Sequence, residues 1–210
     1  MTAVASYKSP DVLLDELGIV EPQDIKIEAI AEYCGATIVY ETLQGCEARI
    51  LGHGDRAIIT VNGTSSRERQ RFSGAHELGH WMRDRGMIAF VCTESVFATE
   101  WGNDNREWQA NRYAAELLLP KSMFSPRAKN KEITFATVRN LAKDFVTSLT
   151  ATAIRLIEFG SYPAILICYD EGKRRWFTRG PDVPQVLWPR MKPTSYTSAY
   201  DLIRGVKTAE

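Results

Sequence analysis

Residues 76–80 read His-Glu-Leu-Gly-His, and this pentapeptide constrains the fold more than any other stretch of the 210-residue chain. On an α-helix, side chains four residues apart lie one above the other on the same face. His76 and His80 can therefore bind a single cation, with Glu77 beside it. The pattern is typical of zinc-dependent hydrolases, so it predicts a helix here with a metal site on one face.

The composition is that of an ordinary globular protein. Hydrophobic residues make up 44% of the chain, which is enough for a substantial core. Lys plus Arg and Asp plus Glu number 26 each. This balance argues against a general attraction to nucleic acid but leaves room for a local basic patch.

Two further expectations come from sequence patterns that are absent. The chain shows no secretory signal pattern and no apolar run long enough to span a bilayer, so we expect a cytoplasmic protein that does not contact membranes. The four cysteines form no C-x-x-C pair, which favours buried, reduced thiols over disulfides or a second metal site. They are Cys34, Cys46, Cys92 and Cys168.

The hydrophobic patterning predicts an α+β fold that is mostly helical. Two N-terminal helices, 11–17 and 24–33, precede short strands at 36–40, 48–51 and 57–61, which we expect to form a small antiparallel sheet. Ser65 and Glu68 form a capping box for the motif helix, and Gly86 fits its far end. A second patterned helix runs from 106 to 119 and stops at Pro120.

The remaining elements suggest two parts of the chain. A helix pair at 134–144 and 148–159 is followed by a hairpin of 164–169 with 175–178 and by one weak helical stretch near 200–203. We expect residues 1–160 to form a zincin-like domain that includes the helix pair at 134–159. Residues 161–210 then form a C-terminal hairpin and tail of unknown role.

A catalytic zinc site has three protein ligands and one open position, so the two motif histidines need a partner. The only other histidine is His53, which lies in a Gly-rich turn where a surface role is expected. We therefore expect a carboxylate. The downstream candidates are Asp84, Glu94, Glu100, Asp104, Glu107 and Glu116.

Helical spacing separates two of these candidates. Glu107 falls on one stripe with Asn111 and several apolar or small residues, whereas Glu116 falls on the opposite side. A carboxylate on a buried face is costly unless it is paired or bound to a metal. Glu107 is thus the favoured third ligand, and Asn111 is placed to hydrogen-bond the outer nitrogen of a liganding histidine.

The alternative is an ordinary salt bridge from Glu107 to Arg83 or Arg85. The two-histidine motif upstream makes the ligand interpretation the stronger one. Glu100 and Asp104 are the fallback ligands.

Two blocks of sequence, RFSGAHELGH at 71–80 and EWQANRYAAELLLP at 107–120, are together similar to the paired signature of the ImmA/IrrE family of zinc metallopeptidases. The first block is common to many zincins, and the second is more specific. The resemblance covers roughly residues 24–160. Within it, Tyr113 stands where the family usually has phenylalanine. The resemblance does not extend to residues 181–210, and the chain resembles the short form without the C-terminal sensor domain.

The resemblance implies that His76, His80 and Glu107 bind Zn²⁺ and that Glu77 is the catalytic base. It also implies a protein substrate, namely a helix-turn-helix repressor that is cleaved in a mobile-element or stress-response switch.

Other features of the mechanism stay open at this point. Tyr113 and His53 are candidate donors to the oxyanion. The strand 57–61 is a candidate free edge on which an extended substrate adds as a further strand.

Two other function classes compete with the peptidase. One is a non-catalytic zinc-fold binding module, such as an anti-repressor or antitoxin, although such a role does not require Glu77. The other is a DNA-binding regulator, since 134–159 has the layout of a helix-turn-helix. Its second helix, however, has a poor basic face, and direct binding of nucleic acid is not expected.

Overall fold

The computed structural model describes residues 7–85, 89–92 and 106–205, with only the backbone described for 89–92. In its first half the elements are α1 (Pro10–Glu16), a 3₁₀ turn (Pro22–Asp24), α2 (Ile27–Tyr33), β1 (Ala36–Glu41), β2 (Ala48–His53), β3 (Arg56–Asn62), α3 (Arg67–Arg83) and β4 (Ala89–Cys92). The second half contains α4 (Arg106–Leu118), α5 (Lys121–Ala128), α6 (Phe135–Phe145), α7 (Leu149–Phe159), β5 (Ile165–Asp170), β6 (Lys173–Arg179) and α8 (Ser198–Ile203). The fold is α+β, as predicted.

The larger sheet has four strands in the order β1-β3-β2-β4. β2 pairs antiparallel with both β3 and β4, but β1 runs parallel to β3, so the sheet is mixed and the expected purely antiparallel sheet is wrong. The reason is the β2–β3 hairpin, which turns at Gly54 and returns β3 into the gap between β1 and β2. Because β3 is paired on both sides, the prediction that it offers a free edge is also wrong.

One face of this sheet is covered by α3. Alternation along β3 buries Ile59 and Val61 and leaves Ile58 about half exposed, as expected for a strand with one covered face. Trp81 of α3 is fully buried, and its indole nitrogen donates to the Cys34 carbonyl at 2.8 Å. This bond ties the far end of α3 to the end of α2.

The start of α3 differs by one residue from the predicted capping box. The N-cap is Ser66, whose side-chain oxygen accepts from the backbone nitrogen of Arg69 at 3.3 Å. Ser65 instead donates to the Glu47 carboxylate at 2.6 Å, and this long-range partner is not visible in local spacing. The predicted far end of the helix at Gly86 lies outside the described residues.

The chain after α3 follows the predicted layout with two additions. α4, α6 and α7 lie within one residue of their predicted bounds, and the hairpin turns at Glu171 and Gly172, both with positive φ. The additions are α5, for which Pro120 is the N-cap residue, and the short strand β4. Pro120 follows the end of α4 and is also the N-cap of α5. Its sequence signal as a helix stop does not reveal that a second helix begins there.

The structure also bears on the expectations about membranes and cysteines. Among the described residues, no helix combines the length and apolar character needed to cross a membrane. Cys34, Cys46 and Cys168 are free thiols, Cys34 being buried and the other two partly buried. The division at residue 160 stays a prediction.

The Trp81 anchor predicts the effect of a single substitution. In Trp81→Phe the Cys34 carbonyl loses its donor inside the core and the smaller ring leaves a void, so we expect a loss of about 2–4 kcal/mol in the free energy of unfolding. The matched control is Trp188→Phe, because Trp188 is 69% exposed, with an expected change within about 0.5 kcal/mol. Urea unfolding measures both, and equal losses in the two variants would contradict the anchoring role.

Candidate metal centre

The middle of α3 is buried and brings the two motif histidines together. His76 is 9% exposed and His80 is 3% exposed, and their ring centroids are 4.8 Å apart. The two Nε2 atoms face one another at 3.1 Å. Helical spacing thus places both imidazoles on one side of α3, as predicted.

Glu107 approaches both rings from the first turn of α4. One carboxylate oxygen lies 3.2 Å from Nε2 of His76, and the other lies 3.3 Å from Nε2 of His80. Hydrogen bonds to His76, the larger effect, and to His80 hold the pKa of Glu107 well below its usual range. The side chain is 41% exposed, so it lies at the rim of the buried face.

The alternative salt bridges of Glu107 are not formed in the structure. Arg83 is exposed, and Arg85 lies over the ring of Trp81, 5.3 Å from its centroid. The Nη2 atom of Arg85 contacts the sulfur of Met82 at 3.3 Å. Both carboxylate oxygens of Glu107 lie at the two histidines instead.

Asn111 holds His76 in one orientation. Its Oδ1 lies 2.9 Å from Nδ1 of His76, which confirms the predicted contact with the outer nitrogen. Because a carbonyl oxygen only accepts, Nδ1 of His76 is the donor in this contact, and a ring with its proton on Nδ1 has a lone pair on Nε2 for a metal ion. This is the tautomer that a metal ligand requires.

The donor set fits a metal ion. His76, His80 and Glu107 each offer one ligand atom, and these atoms all lie within 4.8 Å of one another. Zinc–ligand bonds of roughly 2.0–2.1 Å at tetrahedral angles separate neighbouring ligand atoms by roughly 3.3 Å. The observed separations of 3.1, 3.2 and 3.3 Å match this spacing.

Gly79 allows the two helices to come this close. A Cβ at this position would lie 3.0 Å from Cβ of Tyr113 and 3.2 Å from Cα of Ala110. Both are atoms at or next to the backbone of α4 and cannot move aside alone. Small residues on the inward stripe of α4 are predicted from the sequence, whereas the role of Gly79 on α3 is not, although its position between the two histidines is a signal.

Glu77 follows the first histidine and is fully buried. It shares with His76 and His80 the stretch of α3 that lies between the sheet and α4. The sequence-predicted base and ligands thus come from two adjacent turns of one helix and the start of a second.

The other candidate residues lie elsewhere. His53 is exposed at the end of β2. The hydroxyl of Tyr113 is buried, and this burial is the main reason why its pKa is raised, with smaller contributions from Cys34 and Tyr7. Neither is placed by these contacts as an oxyanion donor. Asp84 lies 3.6 Å from Arg106, and Glu116 pairs with Arg112 at 2.7 Å. The candidates Glu94, Glu100 and Asp104 lie outside the described residues.

The helix pair that brings His76, His80 and Glu107 together beside a small sheet defines the class of protein, a zincin-like metallopeptidase fold. Residues 31–156 match the peptidase M78 family, described as the IrrE N-terminal-like domain, so the chain belongs to that family. This confirms the resemblance stated from the two sequence blocks.

Comparison with solved structures shows a protein of similar fold. The chain is similar to a Mycobacterium tuberculosis transcriptional regulator, with a TM-score of 0.54 and 15% sequence identity. The match covers 81% of this chain but spans only 53% of that protein's length. No curated protein sequence matches the chain.

The contact at Gly79 predicts that Gly79→Ala weakens metal binding. The added methyl pushes α4 outward by a few tenths of an ångström, which moves Glu107 away from the histidines, and we expect a loss of about 10-fold or more in zinc affinity. Competition with a chromogenic chelator measures this. Gly74→Ala is the control on the same helix, because its Cβ would meet chiefly the flexible end of Ile38 at 3.2 Å. Equal affinities in the two variants would contradict the argument.

The bond from Asn111 predicts a separate loss. Asn111→Ala frees the His76 ring to rotate and to change tautomer, so zinc affinity should fall by about 10–100-fold while the fold is retained. Arg112→Ala, at the neighbouring exposed position, should leave the affinity unchanged. The same competition titration serves, with thermal unfolding in excess chelator as the check on folding. An unaltered affinity in Asn111→Ala would show that the bond does not orient the ligand.

Proposed function

We propose that this chain is a zinc-dependent endopeptidase that cleaves a helix-turn-helix repressor. The observation that carries the peptidase part is the convergence of His76, His80 and Glu107, with the fully buried Glu77 on the same helix. The family to which the chain belongs supports a metallopeptidase-type function.

The choice of zinc rests on the chemistry of the ligands. Two imidazole nitrogens and one carboxylate are a common set in catalytic zinc sites, where three protein ligands leave a further position open. When bound, zinc lowers the pKa of a coordinated water to about 7 and polarises the substrate carbonyl.

Glu77 is the proposed general base. Its carboxylate accepts a proton from the water that attacks the peptide carbonyl, and it then delivers that proton to the leaving amine. Full burial keeps this proton within the site and strengthens the electrostatic effect of nearby charges. A docking module has no use for such a group, which favours the enzyme over a non-catalytic binding protein.

The repressor substrate is proposed from the family resemblance, and with it a location in the cytoplasm, where such a repressor acts. The structurally similar mycobacterial protein is itself described as a transcriptional regulator, which is compatible with a role in gene control. A protein substrate also agrees with a site at the surface, since Glu107 is partly exposed.

The helix pair α6–α7 does not favour the DNA-binding alternative. Arg155, the only basic residue of α7, is 9% exposed. Its guanidinium donates to Glu158 at 3.0 Å and to the Ala115 carbonyl at 3.3 Å. This arginine ties α7 to α4 and is not available for phosphate contacts.

The peptidase proposal predicts that Glu77→Gln keeps zinc but loses cleavage. The amide has nearly the same shape but cannot take the proton, so we expect a loss of at least about 100-fold in the cleavage rate. Glu68→Gln makes the same change in the first turn of the same helix and should cleave like the parent. If a neighbouring gene encodes a helix-turn-helix protein, the assay incubates each variant with that protein and follows fragments by mass spectrometry.

Chelator provides the second arm of this experiment. Cleavage should stop when zinc is removed and return when zinc is added back. A Glu77→Gln variant that cleaves normally would overturn the assigned role of Glu77. A parent protein that binds zinc yet leaves the repressor intact would overturn the proposed substrate.

A further inference from the structure

The C-terminal hairpin carries an uneven charge in a chain whose net charge is zero. Residues 173–192 contain six basic residues and one acidic residue, a net charge of +5. The remaining residues must therefore carry a net charge of −5. This local basic patch was compatible with the composition but is not used by the proposed metal site.

The patch is an ordered structure. Segment 184–191 lies along the hairpin, held by the backbone nitrogen of Arg174, which donates to the Met191 carbonyl at 2.8 Å. The hydroxyl of Tyr169 donates to the Arg190 carbonyl at 3.2 Å. The Arg179 guanidinium donates to the Pro184 carbonyl at 3.2 Å, and that of Arg174 donates to the Pro189 carbonyl.

These bonds present an aromatic group on the surface. Trp188 packs edge-on against Phe177, with ring centroids 5.5 Å apart and an interplanar angle of 72°. The Arg179 guanidinium lies 5.2 Å from the Trp188 ring and supports it. Trp188 is nevertheless 69% exposed, so most of this indole faces solvent from a fixed position.

Arg174 and Arg179 are engaged in holding the segment, but four other cations of residues 173–192 are exposed and available to a ligand. They are Lys173, Arg175, Arg190 and Lys192, all exposed. Arg175 lies 3.7 Å from Asp170, an exposed pair that contributes little. We call the four cations together with Trp188 the hairpin surface.

We propose that the hairpin surface binds single-stranded nucleic acid. Exposed cations follow a phosphate backbone, and a fixed, exposed aromatic ring stacks with an unpaired base. An acidic protein would use the charges but has no need of the ring. A duplex keeps its bases stacked and paired, so it offers no face to Trp188.

The test uses the full chain and a fluorescently labelled oligothymidylate of about 12 nucleotides, with polarisation as the readout. With four phosphate contacts, each contributing about −0.7 to the salt slope, affinity should fall about 50-fold between about 50 and 200 mM salt. Binding should be unaffected by chelator, because it does not involve the metal centre.

Variants separate the charge from the ring. Arg190→Glu with Lys192→Glu should reduce the salt slope by about 1.4, whereas the matched exposed pair Lys129→Glu with Lys131→Glu should change it little. Trp188→Ala should weaken binding by about 10-fold, and Trp188→Phe should restore most of it.

Several results would overturn the proposal. They are equal affinity for a duplex of the same length, equal affinity for polyglutamate, or full binding by Trp188→Ala. The first two would replace it with a general anion surface or a site for an acidic protein. Absence of any binding at about 50 mM salt, where phosphate contacts are strong, would reject it outright.

Discussion

The close contact of α3 and α4 at Gly79 is the constraint on which the candidate site depends. Two of the proposed ligands come from one helix and the third from the other, so the distance between the helix axes sets whether three donors converge. Any side chain at position 79 would meet Ala110 and Tyr113 within 3.2 Å. The absence of one Cβ thus brings Glu107 to His76 and His80.

This arrangement places polar groups where a core would normally exclude them. His76, Glu77 and His80 lie between the sheet on one side and α4 on the other, and all three are at most 9% exposed. Burying such groups is costly unless each meets a partner. Asn111 satisfies one imidazole nitrogen of His76, and a cation shared by the inner nitrogens and Glu107 would offset much of the remainder.

Sequence alone predicted those parts of the structure that helical spacing determines. The period of 3.6 residues placed the two histidines on one face and selected Glu107 with Asn111 over Glu116. It did not reveal that β1 runs parallel to β3, because pairing between distant strands leaves no local signature. The position of α5 was missed for a different reason, since one proline acts both as a stop and as an N-cap.

A net charge of zero for the whole chain does not exclude a strongly charged local surface. Equal numbers of acidic and basic residues exclude a uniformly basic protein, but they say nothing about where each sign lies. The bonds that fix segment 184–191 gather basic residues on the hairpin, while the candidate metal centre is built from α3 and α4. Because different elements form the two surfaces, a substitution on the hairpin can change its charge without moving His76, His80 or Glu107. The two proposed activities are therefore separable by mutation, although one chain carries both.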